Sequence, residues 1–340
     1  MIPRSCFAAL KAIALVVLLP LLVLLPLSPA AALNLTPAAL KSIARTYGFV
    51  TGQGLALGQI ADTHAPLAPQ VASARESFDA AFPGVEDKLE AELRIAFGGP
   101  GFMKFRRDIL DKVIEAQMKQ PKSTEQALGF LADVQRRARG EGLDKDILDY
   151  LLATTYAADP AAEFVEGFRQ RFRTDGSGNA QGVRVRLQLP RSWNGTDGGP
   201  SGPVYTWTSE GGNGMAAIVL DIRDARGLNP SREDIARFIS QGNVRELVPG
   251  GTEIIDASPM SLETLPGFSA LLTSVSEQAG LKTVAWTQMY QAFFRGKTIG
   301  VMCTAAGKAA DAAKVEQSLR RMQPLCRQVA GSLVVEQLYD

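Results

Sequence analysis

Cys303 and Cys326 are the two residues whose chemistry can be read most directly from type and spacing. A third cysteine, Cys6, stands near the N-terminus. The stretch between positions 303 and 326 is far too long for a Cys-x-x-Cys redox pair. Two thiolates without a nearby histidine supply too few ligands for zinc. In an oxidising compartment a lone pair of cysteines bonds. A Cys303–Cys326 disulfide is therefore expected once the segment carrying Cys6 is removed. The competing expectation is two buried, reduced thiols acting as small hydrophobes.

Other residues are tempting and fit less well. His64 is the one histidine of the chain, which excludes a multi-histidine metal site and a His-Glu-x-x-His protease. No Gly-x-Ser-x-Gly nucleophile elbow occurs, and a Ser-His-Asp triad would have to recruit His64 from the other half. Gly296-Lys297-Thr298 echoes the end of a phosphate loop, but position 291 holds Gln where that motif needs Gly. The triplet reads instead as a hairpin turn entering a strand. Gly52-x-Gly54-x-x-x-Gly58 resembles a dinucleotide loop, yet helical periodicity precedes it where a strand is required. Gly54 and Gly58 are expected to let helices approach closely or to bend one. Asp144-x-Asp146-x-x-Asp149 lacks the glycine and terminal glutamate of a calcium loop.

Asp221, Asp224, Glu233 and Asp234 form the densest acidic group of the second half. Glu233 and Asp234 fall in the first turn of a helix, where acids meet the helix dipole favourably. The expectation is thus no catalytic residue, no cofactor and no metal. Formal charge is +1, from 36 Lys+Arg against 35 Asp+Glu. Such a balance argues against general binding to nucleic acid or to anionic membranes.

The elements that position these residues begin with an export pattern. Arg4 and Lys11 precede an apolar run over 12–27, and Ser28-Pro29-Ala30-Ala31-Ala32 follows. That is the order of a secretory signal, with cleavage expected after Ala32. The run is shorter than the ~20 residues of a spanning helix. Residues 1–32 are read as signal peptide and the mature chain as periplasmic or secreted. Membrane contact is expected only through an uncleaved signal.

Residues 34–173 carry the 3.6 period of a helical domain. Thr36-Pro37 opens it as N-cap and first helical residue. Helices are expected over 85–97, 102–119 and 143–156. A last helix starts at Asp159-Pro160, carries Phe164, Phe168 and Phe172 on one face, and leaves Arg169, Arg171 and Arg173 exposed. No strand period is read in this half. A Gly-rich linker over 174–182 follows, and then the period becomes 2. Val183, Val185, Leu187 and Leu189 alternate with polar residues as a half-buried strand. Further strands are read over 204–208, 215–222, 252–260, 267–277, 281–294 and 297–304, with a helix capped by Ser231. The segment 194–203 reads as a surface loop or a mobile binding edge. The segment 309–338 reads as helix broken at Pro324. Short connections between strands argue for an antiparallel sheet.

Leu189-Pro190-Arg191-Ser192-Trp193 resembles the Leu-Pro-x-x-Trp opening of PsbP-like domains. Tyr290, Gly296-Lys297-Thr298-Ile299, Cys303 and Ser332-Leu333 resemble their far end. The resemblance covers 183–338 and extends to DcrB- and LpqN-type bacterial relatives. It implies an α/β/α sandwich with a central antiparallel sheet. It also implies a binding or assembly role without shared catalytic residues. The helical half lies outside it.

The fold class read from the sequence is therefore α+β. A helical domain (34–173) and a linker (174–182) precede a PsbP-like antiparallel α/β/α domain (183–340). The function read is that of an exported, non-catalytic binding or assembly factor. Its partner is an envelope protein or a small ligand, and not nucleic acid. The alternatives are an envelope hydrolase using acidic residues and a signal-anchored structural protein.

Overall fold

A computed structural model describes residues 36–117, 123–200, 202–248, 251–278 and 280–340. The export segment with Cys6 lies outside the described residues.

The helical half is built as its punctuation dictates. Helix α1 (Pro37–Thr63) starts where the Thr36 side chain accepts from the Ala39 N–H, with Pro37 at the first helical position. Helices α2 (Ala68–Ala81) and α3 (Val85–Gln117) follow, and α3 is kinked at Gly98, whose φ is +68°. A Ser123–Gln126 capping box opens α4 (Thr124–Ala138). Every residue of α5 (Lys145–Thr155) from 147 to 154 is buried, so α5 is the central helix of this half. Gly54 and Gly58 correct an expectation. Both lie within α1 with open space where a Cβ would stand, so they serve no close helix approach.

Helix α6 (Pro160–Val165) is shorter than the phenylalanine spacing implied. Gly167, at φ +93°, ends it, and Arg169–Arg173 is strand β1, paired antiparallel with β2 (Val185–Pro190). The single face proposed for Phe164, Phe168 and Phe172 is therefore split. Phe164 belongs to the core of the sheet, whereas Phe168 packs on the helical core. Phe172 packs against Tyr205, tilted, and against Trp207, edge to face, at 4.7 and 4.9 Å between ring centres. Arg169, Arg171 and Arg173 are exposed as expected, on a strand of period 2. Tyr156 is the last buried residue of the helical core and Ala161 the first of the sheet core, while Ala162 and Phe168 still pack on the helical core.

The larger sheet comprises β3 (Asn194–Asp197), β4 (Tyr205–Thr208), β5 (Ala216–Asp224), β6 (Thr252–Leu262), β7 (Leu265–Gln278), β8 (Leu281–Phe294) and β9 (Lys297–Lys308). Among the described residues its order is β3-β4-β5-β9-β8-β7-β6, antiparallel throughout. Part of the expected loop at 194–203 is thus the edge strand β3. A single turn, α7 (Ser209–Gly212), joins β4 to β5.

Two helices cover the sheet, one on each face. Helix α8 (Arg232–Ser240), held by a Ser231–Asp234 capping box, packs over Phe268, Met289 and Phe293. Helix α9 (Ala312–Gly331) packs over Ile218, Val301 and Cys303 on the other face. Pro324 lies inside α9 and does not break it. A short strand β10 (Val334–Val335) then joins β1 and β2 in a second, three-stranded sheet among the described residues. The architecture is α+β, with a helical region followed by an antiparallel sheet between helices.

Candidate functional site

Cys303 and Cys326 are both fully buried, one on β9 near the middle of the sheet and one on α9. Their Cα atoms are 6.0 Å apart, within the span a disulfide bridges. The acids singled out from the sequence are engaged one by one on the surface. Asp221 pairs with Arg223 at 2.6 Å. Asp224 accepts from the Arg226 N–H at 2.8 Å. Hydrogen bonds from the first-turn backbone and from Ser231 hold both Glu233 and Asp234 below the usual carboxylate range. The structure does not bring these four together around a cavity. Gly296-Lys297-Thr298 is a turn entering β9, with Arg295 and Gly296 at φ +47° and +72°. Residues 52–58 lie inside α1, so no phosphate-cradling loop forms there.

A cavity of about 110 Å3 with mixed polar and apolar walls opens at the seam between the helical half and the sheet. Glu163 of α6 and Ser192 of the Leu-Pro-x-x-Trp motif meet in its wall. Glu163 is 2% exposed, and its carboxylate accepts from the Ser192 N–H and from the Ser192 hydroxyl, each at 2.7 Å. Burial pushes the carboxyl up to about 7, opposed by the Ser192 hydrogen bonds. Asp149 on α5, also 2% exposed, is raised by burial and steadied by Lys145 at 2.6 Å. Tyr150, buried beside it, is raised to about 12 for the same reason. Arg321 of α9 lines the same cavity.

No periodic signal marks Glu163 or Arg321. Glu163 sits beside Phe164 on a helix too short to show a stripe. Arg321 lies between Leu319 and Met322, both buried, at the margin of the α9 apolar face. Ser192 and Trp193 were visible only through the PsbP-like motif.

The second concavity is a groove of about 370 Å3 between α8 and the outer face of β7 and β8. Ile235, Phe268 and Phe293 are its buried walls, with Phe238 half-buried and Leu228 exposed beside them. Its polar rim is spent internally. Asn229 donates to the Gly227 carbonyl and accepts from the Gly296 N–H, and Asp234 holds the capping box.

The chain is similar in fold to several solved structures. Cyanobacterial PsbP (CyanoP) from Synechocystis sp. PCC 6803 matches 49% of this chain and 92% of its own, at 17% identity and TM-score 0.29. LpqN of Mycobacterium tuberculosis, described as involved in cell envelope biogenesis, matches 52% of this chain and 96% of its own, at 11% identity and TM-score 0.30. The Ran-binding protein Mog1p of Saccharomyces cerevisiae matches 49% and 95%, at 8% identity and TM-score 0.33. No protein-family model matches the chain, and no curated protein sequence does.

Proposed function

We propose that this protein is an exported, non-catalytic binding protein whose sheet-rich half takes an apolar small molecule between α8 and the sheet. The observation that carries this reading is the phenylalanine-walled groove of about 370 Å3, a volume typical of ligand sites. Its walls offer apolar surface, and its rim groups already have partners within the fold, so recognition rests on shape and burial. Export is supported by the basic, apolar and small-residue order of the N-terminal segment. A buried cysteine pair at bridging distance suits the same oxidising compartment. Among the described residues no helix is long and apolar enough to cross a membrane.

The test uses the uncharged fluorophore N-phenyl-1-naphthylamine with the mature protein and with Phe238→Glu, which sets a charge in the groove. Saturable fluorescence enhancement in the parent protein, lost in a folded Phe238→Glu variant, is the expected result. Equal enhancement in both, or no saturable enhancement, rejects the reading.

One observation favours the hydrolase alternative. Glu163 is a buried carboxyl held near pH 7 beside a cavity, the state a general acid requires. Both Glu163 oxygens are occupied by Ser192, which places it behind the binding reading. Glycan hydrolysis abolished by Glu163→Gln would reverse that order.

A further inference from the structure

Helix α9 carries cations on several faces, and they are treated differently. Lys314 pairs with Asp311 at 3.1 Å and Arg320 with Glu316 at 2.6 Å. Arg327 hydrogen-bonds the Tyr290 hydroxyl. Arg321 faces the seam cavity instead, and its Nε is buried with no hydrogen-bond partner among the described residues. Arg321 as a whole is half-buried, and its Nε–H is a donor shielded from solvent without a partner among the described residues, the kind of group that calls for an acceptor.

The walls around it suit an anion. Ser209 and Ser318 contribute hydroxyls that can donate. The cavity of about 110 Å3 has room for several waters or one small oxyanion head. It adjoins a second groove of about 600 Å3 along α9, with Ser209, Glu210, Ala216 and Ser318 lining both. Lys308 and the Lys314–Asp311 pair line that groove with Glu210, so the body of a ligand can lie along a polar wall of balanced charge.

We infer that the seam cavity is a binding site for a small oxyanion, held by the Arg321 guanidinium with Ser318 and Ser209 completing its shell. The ligand class is a carboxylate or a phosphate- or sulfate-type group, the geometry a guanidinium fork grips through paired hydrogen bonds. The charged groups around the site set its pH dependence. Glu163 of α6 faces the cavity and is protonated below about pH 7, where it does not repel an anion. Asp149 of α5 is held by Lys145, and Arg191 after β2 acts on it favourably. Glu210 of α7 lines the mouth and is engaged in another interaction. Tyr156, the C-cap of α5, also lines the cavity and donates its hydroxyl proton to Glu166.

The test follows the Arg321 Nε–H and Trp193 indole resonances in 15N spectra during titration with sodium acetate and with sodium sulfate. Sodium chloride at matched ionic strength is the control. Trp193 lines the cavity and reports on it without Arg321. Saturable shifts with either anion are expected, tighter at about pH 6 than at about pH 8, while Glu163→Gln flattens that dependence. Arg321→Lys should bind roughly tenfold more weakly by losing the paired fork, and a folded Arg321→Gln should not bind. Acetate alone would identify a carboxylate ligand, and sulfate alone a phosphate or sulfate ester. No saturable shift up to tens of millimolar, or an unchanged Trp193 response in Arg321→Gln, overturns the site.

Discussion

The carboxylate of Glu163 is gripped by the backbone N–H and the hydroxyl of Ser192, both at 2.7 Å, which fastens α6 to the turn after β2. Burial raises this carboxyl to about 7 in the folded protein, while in the unfolded chain it titrates near 4.5. The protonated form is therefore favoured by folding. Its contribution to stability is fully present below about pH 4.5 and is lost as pH rises to about 7. At about 1.4 kcal/mol per pH unit this amounts to about 3 kcal/mol. Denaturant unfolding of the parent protein and of Glu163→Gln should diverge by that amount between pH 4.5 and 7. Parallel pH profiles would show that the carboxyl titrates normally.

A disulfide between Cys303 and Cys326 would tie α9 to the middle of the sheet. Closing a loop with sequence separation 23 should stabilise by roughly 3 kcal/mol in the chain-entropy account. Peptide mapping of unreduced protein exported by its own route should recover the two cysteine peptides linked. Reduction should lower the unfolding midpoint. Free alkylation of both thiols in that material would disprove the bond.

The sheet-rich half should need α6 and β1 to stand alone. Ala161 and Phe164 fill its core, and Phe172 of β1 packs on Tyr205 and Trp207. A fragment of residues 159–340 is expected to melt cooperatively. A fragment of 183–340 should be markedly less stable, because it exposes that core and leaves β2 without β1. Equal melting of the two would place the boundary at the Gly-rich segment instead.

The turn at Arg295-Gly296 sets two left-handed residues in sequence, as a tight hairpin requires. A Cβ at Gly296 would also stand 3.1 Å from the Gly227 Cα. Gly296→Ala should therefore cost about 1 kcal/mol or more. Arg295→Asn, better suited to positive φ, should stabilise by a few tenths of a kcal/mol. Thermal unfolding measures both, and a neutral Gly296→Ala would contradict the turn geometry.

Local chemistry in the sequence determined much of this protein. Thr36-Pro37 and Ser231 announced helix starts because capping is a contact within one turn. The alternation through Val185, Leu187 and Leu189 announced a strand because side chains of period 2 face one core. The expectation of a Cys303–Cys326 pair came from counting cysteines, and the two lie at bridging distance. Other features were decided by packing across the chain. Phe164, Phe168 and Phe172 fit a helical spacing, and only Gly167 together with pairing to β2 turned Phe172 into a strand residue. Pro324 reads as a breaker, yet packing against the sheet carries α9 through it. Glu163, Ser192 and Arg321 come from three distant segments and share one cavity. Burial and hydrogen bonding there depend on atoms that are neighbours in space alone, and a one-dimensional pattern holds no trace of them.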